Sequence, residues 1–500
     1  IAMTERVDLR GRGGAAFPVA RKLAATAAAA RARKRQAVVV VNATEGEPGS
    51  YKDKTLLRKS PYLVLGGALV VAWALRAREI VVGVTDSAMA RWVSALADAE
   101  PDLNKMLLVV QAPDRFVSGE SSALINAVNA RRPLPSGSRT RASESGVDGR
   151  PTLLSNAETF AQIAVLAMLG PENYATAGTP EEPGTVLLSV SGAARRPAVV
   201  EVPTGLPLGQ VLDLCGAEPA DGVLVGGYHG MWLPPETAYD VPVSRAGLAA
   251  AGGTLGAGIV LPLGGGTCAV GEVARVASYL AGESSGQCGP CRLGLPGIAR
   301  SLTSVADGSG GLDALDTARR AAASVRGRGA CSHPDGVFRF VMSALDVLTE
   351  DLTAHLFRGS CGRPVLGMLP MPAGHSGHRL AIDWTRCGGH GLCAHLVPEL
   401  IQLDRQGYPV PLDMPVPPWL GKQARQAVDM CPALALKMTA AAAGPSRGAA
   451  VAAGPAPRGQ AVLRRERRQL LADTRTDLVV SESWIAGLSE PAGGPPGQQG

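Results

Sequence analysis

Cysteine is the residue type here with the most chemistry to offer, and its placement is uneven. None of the nine cysteines precedes Cys215, and six of them fall in two groups. In ESSGQCGPCRLG, residues 283–294, Cys288 and Cys291 are separated by a Gly–Pro pair, on a turn able to wrap a compact inorganic core. Cys331 follows in RGRGACSHPDG. Thiolate sulfur is the soft ligand that iron–sulfur clusters and zinc both prefer, and a C-x-x-C pair also suits a bare redox dithiol. All three chemistries stand open on spacing alone. Farther on, Cys387 and Cys393 bracket His390, and Cys431 stands directly before Pro432. Those four side chains suit either a cluster or a zinc ion. An odd cysteine count with ligand-like spacing argues for metal in a reducing compartment rather than a disulfide framework. Cys215 in LGQVLDLCG and Cys268 in a glycine-rich stretch read as packing residues, and Cys361 is given no role.

Two polar loops in the first third offer a different chemistry. RGRGGAAFPVARK, residues 10–22, carries Gly11, Gly13 and Gly14, which let backbone N–H groups approach a phosphate closely. NATEGEPGSYKDK, residues 42–54, concentrates two glutamates, an asparagine and a Lys–Asp pair directly after an apolar run. A tight turn before a helix and a solvated connection are the plainer readings of these two loops. The elements that must position them are legible. Residues 37–43, 79–85 and 105–111 are apolar, β-branched runs of the kind found in buried strands. Helices are expected between them over 60–78 and 88–100. Such alternation predicts a parallel sheet in an α/β domain, whose ligand sites lie at the carboxyl ends of the strands.

Taken in order, these stretches resemble the flavoprotein component of respiratory NADH:quinone oxidoreductase. Its patterns GRGGAGFPxGxKW and NADExEPGTxKDR match the two loops. RFVSGESSALINA (115–127) is similar to AYxxGEExALxxS, and PTLLSNAETF (151–160) to PTxVxNVETxA. The cysteine segment resembles ESCGxCxPCRxG plus one distant cysteine, except that the family's first cysteine falls on Ser285. The resemblance spans about residues 8–355. It implies a non-covalent FMN held by Gly11, Gly13 and Gly14, by Lys22, Asn42, Glu45, Gly119 and Glu120, and by Asn156 and Thr159. It also implies that Phe17 stacks on the nucleotide, that Glu47 lies near the nicotinamide, and that Cys288, Cys291 and Cys331 ligate a cluster of three or four irons, with Ser285 at the fourth corner. Residues 378–440 look like the single-cluster ferredoxins of three-cysteine type. There Cys387, Cys393 and Cys431 would hold a second cluster, and His390 fills the slot of a middle cysteine. The departures concern the nucleotide: Thr44 replaces an aspartate, Ser121 a glutamate, Ala25 an aromatic residue, and Arg141 is the nearest match to another aromatic.

The expected architecture is α/β. It comprises an FMN- and NADH-binding α/β domain (1–180), a β-grasp module of SLBB type (181–245) and an α/β connecting layer (246–271). A helical iron–sulfur domain (272–358), a linker (359–377), a small α+β ferredoxin-like domain (378–440) and a low-complexity tail (441–500) follow. The formal charge of +6 is mild, and basic residues are not interleaved with stacking aromatics, which argues against nucleic acid as a partner. The apolar run 62–75 is shorter than the roughly 20 residues a membrane span needs. The expectation is a cytoplasmic protein without a signal peptide or a span of its own, able to sit peripherally at the inner face of a membrane. It would take NADH as substrate and exchange electrons with a partner protein, soluble or membrane-bound. An electron-transfer subunit carrying FMN and clusters without its own NADH oxidation is the alternative, and a scaffold that has lost its cofactors is a third.

Overall fold

The computed structural model describes residues 1–137, 140–372, 378–398, 400–410, 413–416 and 421–440. The tail expected over 441–500 lies outside them, as does part of the expected linker. Strands β1 (Val38–Ala43), β2 (Glu79–Val84), β3 (Leu107–Gln111) and β4 (Thr152–Asn156) form a parallel sheet in the order β3-β2-β1-β4. Val39 and Val41 enter one apolar cluster and Val38 and Val40 another, so both faces are covered. That double burial is why the run is continuously apolar instead of alternating. The chain steps from β1 to β2 to β3 on one side and then returns to the other side of β1 for β4. The reversal leaves a crevice between the carboxyl ends of β1 and β4, where open α/β sheets bind ligands. Asn42 and Asn156 are register partners at that edge.

Helices Pro61–Leu75 and Ala157–Tyr174 cross at backbone contact: a Cβ added at Gly67 would lie 1.8 Å from the Phe160 carbonyl oxygen. The first helix ends short of the expected residue 78 because Arg76 adopts a left-handed conformation at φ 49° and turns the chain back. Among the described residues no single helix is long and apolar enough to cross a membrane.

A second sheet joins β5 (Thr185–Val190), β6 (Ala198–Pro203), β7 (Gly222–Val225), β8 (Met231–Leu233) and β9 (Ile259–Leu263) in the order β6-β5-β9-β7-β8. Here the structure departs from the expected boundaries. Strand β9 falls within the layer expected as separate over 246–271, yet it is the central strand, parallel to β5 and antiparallel to β7. Its sequence IVLPL is buried throughout and needs a partner on each side. Helices Ala269–Gly282, Leu295–Ala306, Gly311–Val325, His333–Val347 and Thr349–Arg358 then pack around Leu280, Ile298, Leu302 and Phe340. The last unit mixes short strands and helices. It consists of β10 (His378–Ile382), β11 (Gln402–Leu403), β12 (Pro409–Val410), β13 (Asp413–Val416) and β14 (Leu436–Ala440), with two helices, Leu392–Leu396 and Gly421–Asp429. Its three-stranded antiparallel sheet has the order β13-β10-β14.

Candidate functional site

Four separate stretches of chain converge on the β1/β4 crevice, and polar side chains, Asn42 and Asn156 above all, fasten them to one another. Asn42 Nδ2 donates to the Gly119 carbonyl at 2.8 Å, and its Oδ1 accepts from the Thr44 N–H and hydroxyl. Asn156 Nδ2 donates to Asn42 O at 3.3 Å and to Asp53, while its Oδ1 accepts from Lys52 Nζ at 2.7 Å. The glycine loop docks through the Arg12 N–H, which donates to Thr159 Oγ1 at 2.9 Å. At Gly13 an added Cβ would sit 3.2 Å from Asn156 Cβ, and at Gly46 one would lie 1.9 Å from the Arg115 carbonyl oxygen. Gly14 takes φ +97°, a conformation glycine alone adopts at no steric cost. Gly11, Gly14 and Arg12 line a cavity of about 280 Å³ against Glu158, Leu187 and Gly256. Lys22 Nζ donates to the Leu154 carbonyl at 3.0 Å, which uses one of its three donors, and burial lowers its pKa. A half-buried ammonium with donors to spare, and glycine backbone lining a cavity, fit a phosphate-bearing ligand such as FMN.

Not every expected contact residue faces that space. Glu45 Oε1 accepts from Ser50 Oγ and the Asp53 N–H, and Oε2 from the Lys54 N–H, each at 2.8 Å. It therefore holds the start of helix Lys52–Lys59, and burial chiefly raises its pKa. Glu120 caps helix Ser121–Val128 through the N–H groups of Ser122 and Ala123. Phe17 is 40% exposed, and Ala25, Ser121 and Arg141 are exposed as well.

Glu47 enters the crevice from the same loop as Glu45 but meets a segment that no sequence motif marks. Its Oε1 accepts from the Tyr228 N–H within GGYHG, residues 226–230. Gly227 there has φ +79°, and an added Cβ would come 2.2 Å from Glu47 Oε1. Burial pushes the Glu47 carboxyl up to about 8, against the opposing pull of the Tyr228 N–H. The signal that could have found this loop is a glycine pair directly after a strand, similar to the glycines that mark the loop at Gly13.

Beyond Tyr228 a buried aromatic group leads to the cysteine segment. His333 Nε2 lies 2.8 Å from the Leu280 carbonyl, which only accepts, so the proton is on that nitrogen. His333 Nδ1 then accepts from His229 Nε2 at 2.9 Å, and burial keeps both rings neutral. Phe116 sits edge-on to His229 at 4.7 Å, and its N–H donates to Glu283 Oε2 at 2.9 Å. The third flavin-type motif is thereby bonded directly to the first residue of ESSGQCGPC.

Ser285 Oγ lies 4.0 Å from Cys291 Sγ, and both are buried. Burial pushes the Cys291 thiol up to about 12, with Cys288 and Cys331 near enough to add to the effect. Without a cation such thiols stay protonated, and a metal inverts that preference. The donor set fits a cluster with three sulfur ligands and one oxygen. In the last unit Cys387, Cys393 and Cys431 line one small pocket with Pro432, and His390 is exposed at its mouth. Cys215 is core, as expected. Cys268 also belongs to a buried apolar cluster and Cys361 packs against it, and in addition both sulfurs lie beside Asp351 and His355, a grouping that the reading of one as packing and the other as idle did not contain.

Three family models match the chain. Residues 4–165 match the Nuo51 FMN-binding domain, residues 271–355 the NADH-ubiquinone oxidoreductase-F iron-sulfur binding region, and residues 380–438 a 4Fe-4S single cluster domain. The NADH-quinone oxidoreductase F subunit of Mycobacterium bovis is 29% identical over 388 residues, covering 72% of this chain and 85% of that protein. Its counterpart in Escherichia coli is 29% identical over 369 residues, covering 69% and 82%. Among solved structures, NAD+-reducing [NiFe]-hydrogenase in the air-oxidized state aligns with a TM-score of 0.65 at 26% identity. That alignment covers 71% of this chain and 62% of the hydrogenase chain. A flavin domain, an F-type iron–sulfur region and a single-cluster domain on one chain make this protein an oxidoreductase homologous to the F subunits of NADH-quinone oxidoreductases.

Proposed function

We propose that this chain takes hydride from NADH onto a bound FMN and releases the electrons singly to iron–sulfur clusters and a partner protein. The observation that carries the reading is the direct bond between the Phe116 N–H and Glu283, which joins the flavin-type crevice to the cysteine segment. Bound FMN supplies the two-to-one electron exchange, and the clusters supply single-electron carriage. The chain's own part is positioning. Gly11, Gly13 and Gly14 leave room for a phosphate, and Lys22 offers it charge. Asn42, Gly119, Asn156 and Thr159 hold the crevice edges, and Glu45 and Glu120 fix the loops that carry them. Glu47 stands where the nicotinamide would approach, and near neutral pH its carboxyl is uncharged. Cys288, Cys291 and Cys331, with Ser285 at the open corner, would hold one cluster, and Cys387, Cys393 and Cys431 another. As a neighbour to the second cluster, His390 is not obligatory.

A second reading rests on the nucleotide side of the crevice. Ala25, Ser121 and Arg141 are exposed, and the Thr44 hydroxyl is turned onto Asn42 Oδ1 at 2.6 Å. Losing two stacked aromatic pairs, each worth about 0.5–1.5 kcal/mol, weakens nucleotide binding by an order of magnitude or more. The experiment is anaerobic mixing of the flavin-loaded chain with NADH while flavin absorbance is followed. Bleaching is expected, with a weak apparent affinity. A flavin that dithionite reduces but that neither NADH nor NADPH reduces at millimolar concentration would replace the dehydrogenase with an electron-transfer subunit.

A further inference from the structure

Four metal-ligating side chains meet at the far end of the helix that leads into the cysteine segment, well away from Cys288. Cys268 caps the N-terminus of helix Ala269–Gly282, Asp351 and His355 lie one turn apart on helix Thr349–Arg358, and Cys361 follows that helix. One ligand atom from each lies within 4.8 Å of all the others. Cys268 Sγ is 3.1 Å from His355 Nε2 and 3.8 Å from Asp351 Oδ2. In a tetrahedral zinc site a sulfur and a nitrogen ligand are about 3.6 Å apart, given bonds of roughly 2.3 and 2.0–2.1 Å. Cys268, Asp351 and His355 are buried, and His355 Nδ1 has no hydrogen-bond partner among the described residues. Burial in a protein core is costly for such groups unless something pairs them.

We propose that Cys268, Asp351, His355 and Cys361 bind a structural zinc ion, separate from both cluster sites. The donor set of two sulfurs, one imidazole and one carboxylate is of the mixed tetrahedral kind zinc takes, and no corner is left open for catalysis. Binding releases the two thiol protons, leaving two thiolates and a carboxylate around a divalent cation. The net charge of that group is −1, and Arg363 offsets part of it, with its guanidinium 3.0 Å from Asp351 Oδ1 while also 2.8 Å from Asp221. Backbone groups orient two of the ligands: the Val270 N–H donates to Asp351 Oδ2 at 2.9 Å and the Gly271 N–H to Cys268 Sγ at 3.2 Å. The ion would tie together three segments: the start of the helix before the cluster motif, the last helix of the bundle, and the connection toward the single-cluster domain.

The test is metal analysis of the full purified chain, supplied with zinc and then dialysed against EDTA. About one zinc per chain is expected beside the iron. Cys361→Ser, at a half-buried site outside the helices, should lower zinc at least tenfold and leave iron unchanged. Cys431→Ser should lower iron and leave zinc unchanged. Should Cys361→Ser fail to fold, the wild-type chain loaded with cobalt(II) is expected to show thiolate-to-cobalt charge transfer and tetrahedral d–d bands. Absence of those bands, wild-type zinc below about a tenth per chain, or zinc that survives both Cys268→Ser and Cys361→Ser overturns the proposal. So does zinc that is lost with Cys431→Ser and kept in Cys361→Ser.

Discussion

At the scale of single residues, Glu47 and Ser285 carry the sharpest expectations. The Glu47 carboxyl is raised from 4.5 to about 8 by burial, so its contribution to stability is intact below about pH 4.5 and declines as pH rises through 8. Glu47→Gln keeps an oxygen for the Tyr228 N–H and cannot ionise. Thermal melts should therefore show the variant equal to wild type at pH 5 and the more stable of the two at pH 9. A pKa difference of one between folded and unfolded chain is worth about 1.4 kcal/mol, so the gap at pH 9 should exceed the error of the measurement. NADH-driven flavin reduction should likewise fall above pH 8 in wild type and stay flat in the variant. At Ser285 a hydroxyl must lose a far more basic proton than a thiol to bind iron, so that corner should release its metal readily. Ser285→Cys is expected to raise iron content and convert the electron paramagnetic resonance signal to that of a stable four-iron cluster. Identical iron and identical spectra before and after would count against the assignment of this corner.

At the scale of elements, glycines set how closely segments approach. Gly67→Ala would place a methyl group on the Phe160 carbonyl and force apart the helices Pro61–Leu75 and Ala157–Tyr174. Overpacking of this kind costs about 1–3 kcal/mol, so the flavin domain should melt earlier and bind FMN less tightly. Gly13→Val should abolish FMN binding and also lower the melt, because its Cβ alone would meet Asn156 Cβ at 3.2 Å. These elements were largely legible in the sequence. Three of the four strands of the first sheet stood out as apolar, largely β-branched runs, since both of their faces are covered, whereas β4, TLLSN, did not. The glycine loop, the loop after β1 and both cysteine groups also stood out, because each concentrates chemistry within a few residues. What stayed hidden depends on distance along the chain. Strand β9 joins β5 across some seventy residues (189 to 259), and the Cys268–His355 contact spans 87. GGYHG reads as an ordinary turn until Glu47, 181 residues earlier, is seen to accept from it.

At the scale of the whole molecule, the modules are stitched by individual bonds. Phe116 reaches Glu283, Leu187 reaches Glu158, Tyr51 reaches Ser189, and Gln287 reaches Pro135. Glu272 is wholly buried and collects the N–H groups of Gly367, Met368 and Leu369. Replacing it with alanine should free that connecting segment, and limited proteolysis should then cut near residue 367 faster than in wild type. The crevice has a consequence for timing as well. Gly46 against Arg115, Asn42 against Gly119 and Asn156 against Asn42 hold its four loops together through the chain's own contacts. The entropy of ordering those loops is therefore spent when the chain folds and not when the flavin arrives. Uptake of FMN by the stripped protein should then be a single collision, with one exponential phase whose rate grows in proportion to flavin concentration and reaches no plateau.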